Sequence, residues 1–143
     1  MHALETPLQN STLEPTLRQL VRTRASQING CAYCVDMHTK DARAYGETEQ
    51  RLYGLSAWRE TPFYTDRECA ALEWTECLTL IAQHGVSDEL FERMQQHFTL
   101  EELVQLTLAI VQINGWNRLA ISARAPVGSY QPAAQPEPVH AAR

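Results

Sequence analysis

Apolar positions recur at helical spacing along almost the whole chain. Leu13, Leu17, Leu20, Val21, Ala25 and Ile28 share one face of a first predicted helix. Asn29-Gly30 ends it, because both residues tolerate the left-handed conformation that closes helices. A second helix is predicted over about residues 33–45, closed by Gly46, and Thr48 suits the N-cap of a short helix reaching Ala57. Thr65-Asp66-Arg67-Glu68 forms a capping box that opens a helix to about His84, before Gly85. Ser87 caps a helix over residues 88–97. A second capping box, Thr99-Leu100-Glu101-Glu102, opens the longest helix, which runs to about Arg124 before Pro126 stops it. Between Leu103 and Ile113 only Gln105, Thr107 and Gln112 are polar, so this helix is expected to be buried in the domain or in a subunit interface.

No stretch alternates as a strand does. The expected fold is all-α, one domain over residues 1–125 with about six helices. From Pro126 the composition shifts to Pro, Ala, Gln and Gly; the tail, residues 126–143, is expected to be disordered or to lie along a neighbouring subunit. A length of 143 residues suits a single domain with its own core, and 44% apolar residues supply it.

The net charge of −5, from 12 basic and 17 acidic side chains, argues against nucleic acid or an anionic membrane as partner. No apolar run approaches the length that spans a bilayer. Residues 1–10 lack the basic start and apolar stretch of a secretory signal, so a cytoplasmic protein is expected. There is no internal repeat, Gly-rich phosphate loop or Gly-x-Ser-x-Gly elbow.

Cytosolic thiols are kept reduced, so a close cysteine pair there points to catalysis or metal binding. Cys69 and Cys77 fall in one predicted helix, ~12 Å apart along its axis, too far to bridge. They read as small buried hydrophobes. Cys31 and Cys34 stand one turn apart at a helix start, where a disulfide can open and close with little backbone movement. Unpaired N–H groups and the helix dipole there favour thiolate, the nucleophilic form. His38 lies four residues beyond Cys34, on the same face, where an imidazole can accept the thiol proton, stabilise the thiolate or protonate a leaving oxygen.

Three readings meet here. Two buried cysteines beside a surface histidine would be purely structural. A zinc site would have three ligands in Cys31, Cys34 and His38 but lacks the second ligand pair that structural zinc needs. Dithiol redox chemistry uses all three side chains and is preferred. It requires no metal and no cofactor.

The run from Val21 to Arg43, centred on Asn29-Gly30-Cys31-Ala32-Tyr33-Cys34-Val35-Asp36-Met37-His38, closely resembles the carboxymuconolactone decarboxylase family in its alkylhydroperoxidase D-like branch. Arg51-Leu52, Trp58-Arg59-Glu60-Thr61-Pro62-Phe63 and Ile113-Asn114-Gly115-Trp116-Asn117-Arg118-Leu119 are similar to the same family, and the likeness extends from Leu13 to Ala125. The resemblance implies an all-α fold assembled into trimers or hexamers, and reduction of a hydroperoxide by a dithiol–disulfide cycle. It assigns the peroxide-attacking thiol to Cys34, the resolving thiol to Cys31 and a proton-relay histidine to His38. It also implies a dithiol reductant or lipoylated partner protein to restore the thiols. The order of the two cysteines rests on the resemblance alone, since thioredoxin-like motifs use the first. The family's lactone decarboxylases do not depend on a Cys-x-x-Cys pair, so the intact pair argues against that activity. A redox-sensing oligomer without catalysis is the other alternative.

Two positions depart from the pattern. Where the family carries a relay glutamate, twelve residues before the first cysteine, this chain has Gln19, an amide that cannot take a proton at neutral pH. Gln19 flanks the apolar stripe with Thr23 and Ser26, consistent with an inward role. Tyr33 stands where alkylhydroperoxidase D has a histidine and is read as packing. Elsewhere, His84 and His97 complement helix C-termini. Asn117 and Arg118 need partners if internal, and Arg118 is a candidate for a carboxylate across an interface. Asp36 and Lys40 form an i,i+4 surface pair, and Trp58, Trp74 and Trp116 read as core or interface.

Overall fold

The computed structural model describes residues 2–133. Every regular element among them is helical: α1 (Glu5–Gln9), α2 (Pro15–Asn29), α3 (Ala32–Ala44), α4 (Glu49–Gly54), α5 (Asp66–Thr79), α6 (Ile81–His84), α7 (Asp88–His97) and α8 (Leu100–Ser122). Short 3-10 segments, His2–Leu4 and Leu55–Glu60, precede α1 and follow α4. No helix in the described residues is long and apolar enough to cross a membrane.

The helix α2 is the hub and packs against α3, α5 and α8. Its apolar stripe explains this: Leu17, Leu20, Val21 and Ala25 are all buried. One part of the core gathers Leu13, Leu17 and Val21 with Trp74, Met94, Phe98, Leu106 and Ile110, joining α2 to α5, α7 and α8. A second part joins Leu20 to Ala42, Leu52, Leu55, Trp58 and Leu72. Both capping boxes form. Thr65 and Thr99 accept from the backbone N–H groups of Glu68 and Glu102, whose carboxylates reach back to the cap N–H groups.

Three differences from the sequence pattern have physical causes. The helix expected over residues 66–84 breaks at Leu80 (φ −105°, ψ 31°). The segment beyond it, α6, buries none of its residues, so no packing keeps it in line with α5. The amino-terminal segment adds α1, too short to show a stripe, which docks through buried Leu8. The longest helix is not buried all round within one chain. Leu103, Leu106, Ile110 and Ile113 point inward, while Leu100, Val104, Leu108 and Val111 are 72%, 51%, 36% and 54% exposed.

Residues 126–133 run beside this chain's own α3. Lys40 Nζ donates to the carbonyls of Tyr130 (3.0 Å) and Gly128 (3.4 Å), and Tyr130 Oη donates to Asp41 Oδ1 (2.7 Å). The rest of the expected tail, residues 134–143, lies outside the described residues.

Candidate active site

The site is built on the turn between α2 and α3. Gly30 takes the left-handed conformation (φ 69°), which a Cβ would oppose. Its N–H donates to Gln27 O (3.2 Å), and that of Cys31 to Ser26 O (3.0 Å), the paired bonds of a Schellman ending. This reversal seats Cys31 as the N-cap of α3, where its sulfur accepts from the Cys34 backbone N–H at 3.3 Å. Cys31 and Cys34 form a disulfide, with Cα atoms 5.3 Å apart. The first turn of α3 carries no acidic residue, so nothing offsets the partial positive charge of the helix end.

A buried polar network holds the turn against α8. Asn29 Nδ2 donates to Asn117 Oδ1 (2.8 Å) and Asn114 Oδ1 (3.0 Å). Asn117 Nδ2 donates to Ser26 Oγ (3.0 Å), which passes its own proton to Arg22 O (2.7 Å). Asn117 is fully buried, and these partners satisfy it. Arg118 turns outward and donates to Asn114 O in its own helix (2.8 Å).

Gln19, from α2, and His38, from α3, meet at the centre of the site, both buried. Gln19 Oε1 lies 3.0 Å from His38 Nδ1. An amide oxygen can only accept, so the imidazole proton sits on Nδ1 and Nε2 keeps its lone pair. Burial, reinforced by the Arg22 guanidinium, holds the His38 pKa down to about 3. At neutral pH the imidazole is therefore uncharged. Of the three roles its position allows, accepting the thiol proton and returning it to a leaving oxygen are open; standing as a permanent cation beside the sulfur is not.

Gln19, Cys34 and His38 line one cavity of about 570 Å³. Of the two bonded cysteines, Cys34 faces this cavity, while Cys31 packs behind it with Ala25 and Ile113. The wall is amphiphilic. Arg18, Arg22 and Gln112 are among its polar lining residues, and Tyr33, Met37, Ile113 and Trp116 among its apolar ones. Tyr33 packs against the cysteine cluster, as read from the sequence, and also faces the cavity. Tyr130 closes one edge through its bond to Asp41, and the His2 ring meets Trp116 edge-on at 4.8 Å between centroids.

The structure thus brings together Cys31, Cys34, His38 and Gln19. Sequence reading missed Arg18, Arg22 and Tyr130 as parts of the wall. Gln112 was noticed only as a polar residue inside an apolar run, and that signal could have marked it. The pair Asp36–Lys40 forms (2.9 Å), and Lys40 also clips the tail. Trp58 and Trp74 are core, each with its indole N–H bonded, to Glu76 and Thr107. Cys69 and Cys77 are unpaired thiols on α5, and burial raises the pKa of each.

Comparison with known proteins places this geometry. The model of the carboxymuconolactone decarboxylase family matches residues 1–76. The uncharacterized protein YdfG of Bacillus subtilis (strain 168) is 50% identical over 122 residues, which are 85% of this chain and 83% of YdfG. The uncharacterized protein YnjA of Escherichia coli (strain K12) is 32% identical over 100 residues, 70% of this chain and 54% of YnjA. Among solved structures, ATU0492 of Agrobacterium tumefaciens is a protein of unknown function with a suggested role as the antioxidant defence protein AhpD. It superposes with a TM-score of 0.86 at 46% identity, over 90% of this chain and 88% of its own. An uncharacterized peroxidase-related protein from Silicibacter sp. TM1040 shares the fold, with a TM-score of 0.79 at 21% identity, over 90% of this chain and 68% of its own. The chain belongs to the carboxymuconolactone decarboxylase family, and its helical fold is that of the AhpD-like members.

Proposed function

We propose that this protein is a thiol-dependent peroxidase that reduces hydroperoxides through the Cys31–Cys34 pair. The observation that carries this reading is the burial of a bondable dithiol at a helix start, with one sulfur-bearing residue, Cys34, sharing a cavity with a neutral imidazole. In the reduced protein the uncharged His38 relays the Cys34 proton as the sulfur attacks, since so weak a base does not hold it at rest. The thiolate attacks the terminal oxygen of ROOH; an S–O bond forms, the O–O bond breaks, and the electron pair leaves on RO⁻, which takes the proton back from His38 as ROH. The Cys31 thiol then displaces water from the Cys34 sulfenic acid, closing the disulfide. An external dithiol, either a small molecule or a lipoylated partner protein, restores both thiols by exchange. Gln19 orients the imidazole but cannot hold the relay proton, so turnover is expected to be slower than a glutamate would support.

The protein is also proposed to act as a trimer or hexamer, with the exposed α8 stripe of Val104, Leu108 and Val111 packing against another copy of the chain. Sedimentation should then show a species several times the chain mass, and V104E should dissociate it. A chain-sized species in the unsubstituted protein would contradict this.

Thiol titration after exposure to cumene hydroperoxide tests the activity. Catalysis predicts loss of two thiols per chain, a Cys31–Cys34 disulfide, and many turnovers with added dithiol. A single slow oxidation accompanied by a change of assembly would instead indicate a sensor.

A further inference from the structure

We propose that Gln112, held by Arg22, is the group that receives the leaving oxygen of the hydroperoxide; this inference rests on the peroxidase reading above. Gln112 is 1% exposed on α8, in an otherwise apolar run, and lines the cavity that holds Cys34 and His38. Its two amide ends are treated differently. Oε1 accepts from Arg22 Nη2 at 3.0 Å. Nε2 is buried and meets no hydrogen-bond partner among the described residues. Nearly all buried polar groups in folded proteins are paired, so an orphaned, buried amide nitrogen on a side chain that lines the cavity points to an acceptor supplied by a ligand.

Arg22 also fixes which way the amide points. Turning it over would set the NH₂ group against a guanidinium, which has only donors to offer. The N–H groups are therefore held in place before any ligand arrives. Such a donor favours the transition state over the ground state, because charge on the leaving oxygen develops only as the O–O bond breaks. Anchoring by a cation strengthens the effect, since the guanidinium polarises the amide toward donating. Cys34 supplies the electron pair, His38 carries the proton, and Gln112 stabilises the oxygen that departs. The subsite accepts the RO oxygen of any hydroperoxide, leaving the apolar lining residues, Trp116 and Ile113 among them, to meet the R group.

The test uses the full chain, pre-reduced, with Gln112→Met, which keeps the length but loses the donor. Gln112→Asn, which keeps an amide but withdraws it, serves as a second variant. Two rates are compared: disulfide formation with cumene hydroperoxide, and alkylation of Cys34 by iodoacetamide at pH 7. Loss of an oxyanion donor predicts peroxide oxidation slowed on the order of 10²-fold in Gln112→Met and less in Gln112→Asn. Alkylation should stay within about twofold, because the thiol itself is untouched. Equal peroxide rates in all three proteins would overturn the proposal and leave the amide holding only water. A parallel fall in both rates would also overturn it, placing Gln112 at the sulfur instead. An unsubstituted protein that forms no disulfide with peroxide would instead reject the peroxidase reading, and this inference with it.

Discussion

Two helices of this protein carry cysteines within their first turn or just after it, and they treat them in opposite ways. In α3 the N-cap is Cys31 itself, Cys34 stands three residues on, and the first turn has no carboxylate. In α5 the N-cap is Thr65, and Cys69 follows a first turn containing Asp66 and Glu68. Burial first, then the charges of Asp66 and Glu68, raise the Cys69 pKa. The same helix dipole is available to both. In α5 the carboxylates of Asp66 and Glu68 already occupy the positive end, whereas the first turn of α3 leaves that end open to sulfur. Position within a helix therefore does not make a cysteine reactive; what else shares that helix end decides it.

The largest break in this comparison comes from removing the sulfurs one at a time. Cys34→Ser should reduce peroxide turnover to the uncatalysed background, whereas Cys69→Ser and Cys77→Ser should leave it within about twofold. Steady-state peroxide consumption with a dithiol reductant reads this directly, and loss of turnover in Cys69→Ser would place the chemistry on α5 instead.

A smaller effect is expected from Gln19→Glu. A carboxylate at 3.0 Å in place of the amide oxygen would stabilise the imidazolium and let the relay hold its proton. Turnover should rise by about a hundredfold, the low end of the ~10²–10⁴ that general acid–base assistance supplies. No gain would mean that His38 works unaided.

Acid tests the site's electrostatics through stability. His38 takes up a proton near 6.5 when unfolded and near 3 when folded. Between those values the unfolded chain binds more protons, so stability must fall as pH drops through that window, by up to about 1.4 kcal/mol per pH unit from this one group. Glu76 adds to the loss. Burial pushes its pKa up, but bonds from Trp58, Arg59 and Arg24 outweigh this and hold it below the usual value. Its contribution is present above the unfolded carboxylate pKa and disappears as pH falls through the folded one. Denaturant titrations at pH 7, 6 and 5 should show the decline, and His38→Gln should flatten it.

The smallest change sharpens the contrast between the two helices. Asp66→Asn removes one of the charges that raise the Cys69 pKa, so Cys69 should alkylate about two- to threefold faster at pH 8. The corresponding addition, Ala32→Asp, should slow Cys34 alkylation by a similar factor.

Much of this was legible in the sequence, for reasons that are local. Asn29-Gly30 announces the turn because left-handed backbone needs such residues. The two capping boxes announce α5 and α8 because each is satisfied within four residues. Cys31, Cys34 and His38 fall on one helix, so helical spacing alone places them together. Gln19 could be read as inward from its flank of α2, but its bond to His38 depends on how α2 and α3 pack. The rest of the cavity wall was not legible, because its contacts join distant parts of the chain. Arg22 meets Gln112 across a separation of 90 residues, and Tyr130 reaches Asp41 across 89. The open apolar face of α8 was hidden for a related reason: a uniformly apolar helix reveals how much it could bury, not which side a single chain covers.

The order of the two thiols is open to one direct measurement. Reduced Cys31→Ser and Cys34→Ser proteins, each given one equivalent of cumene hydroperoxide and a sulfenic-acid trap, can be read by mass spectrometry of the intact chain and its peptides. Attack by the cavity-facing sulfur predicts a trapped adduct on Cys34 in the first protein and none on Cys31 in the second. An adduct on Cys31, with Cys34 unmodified, would contradict it.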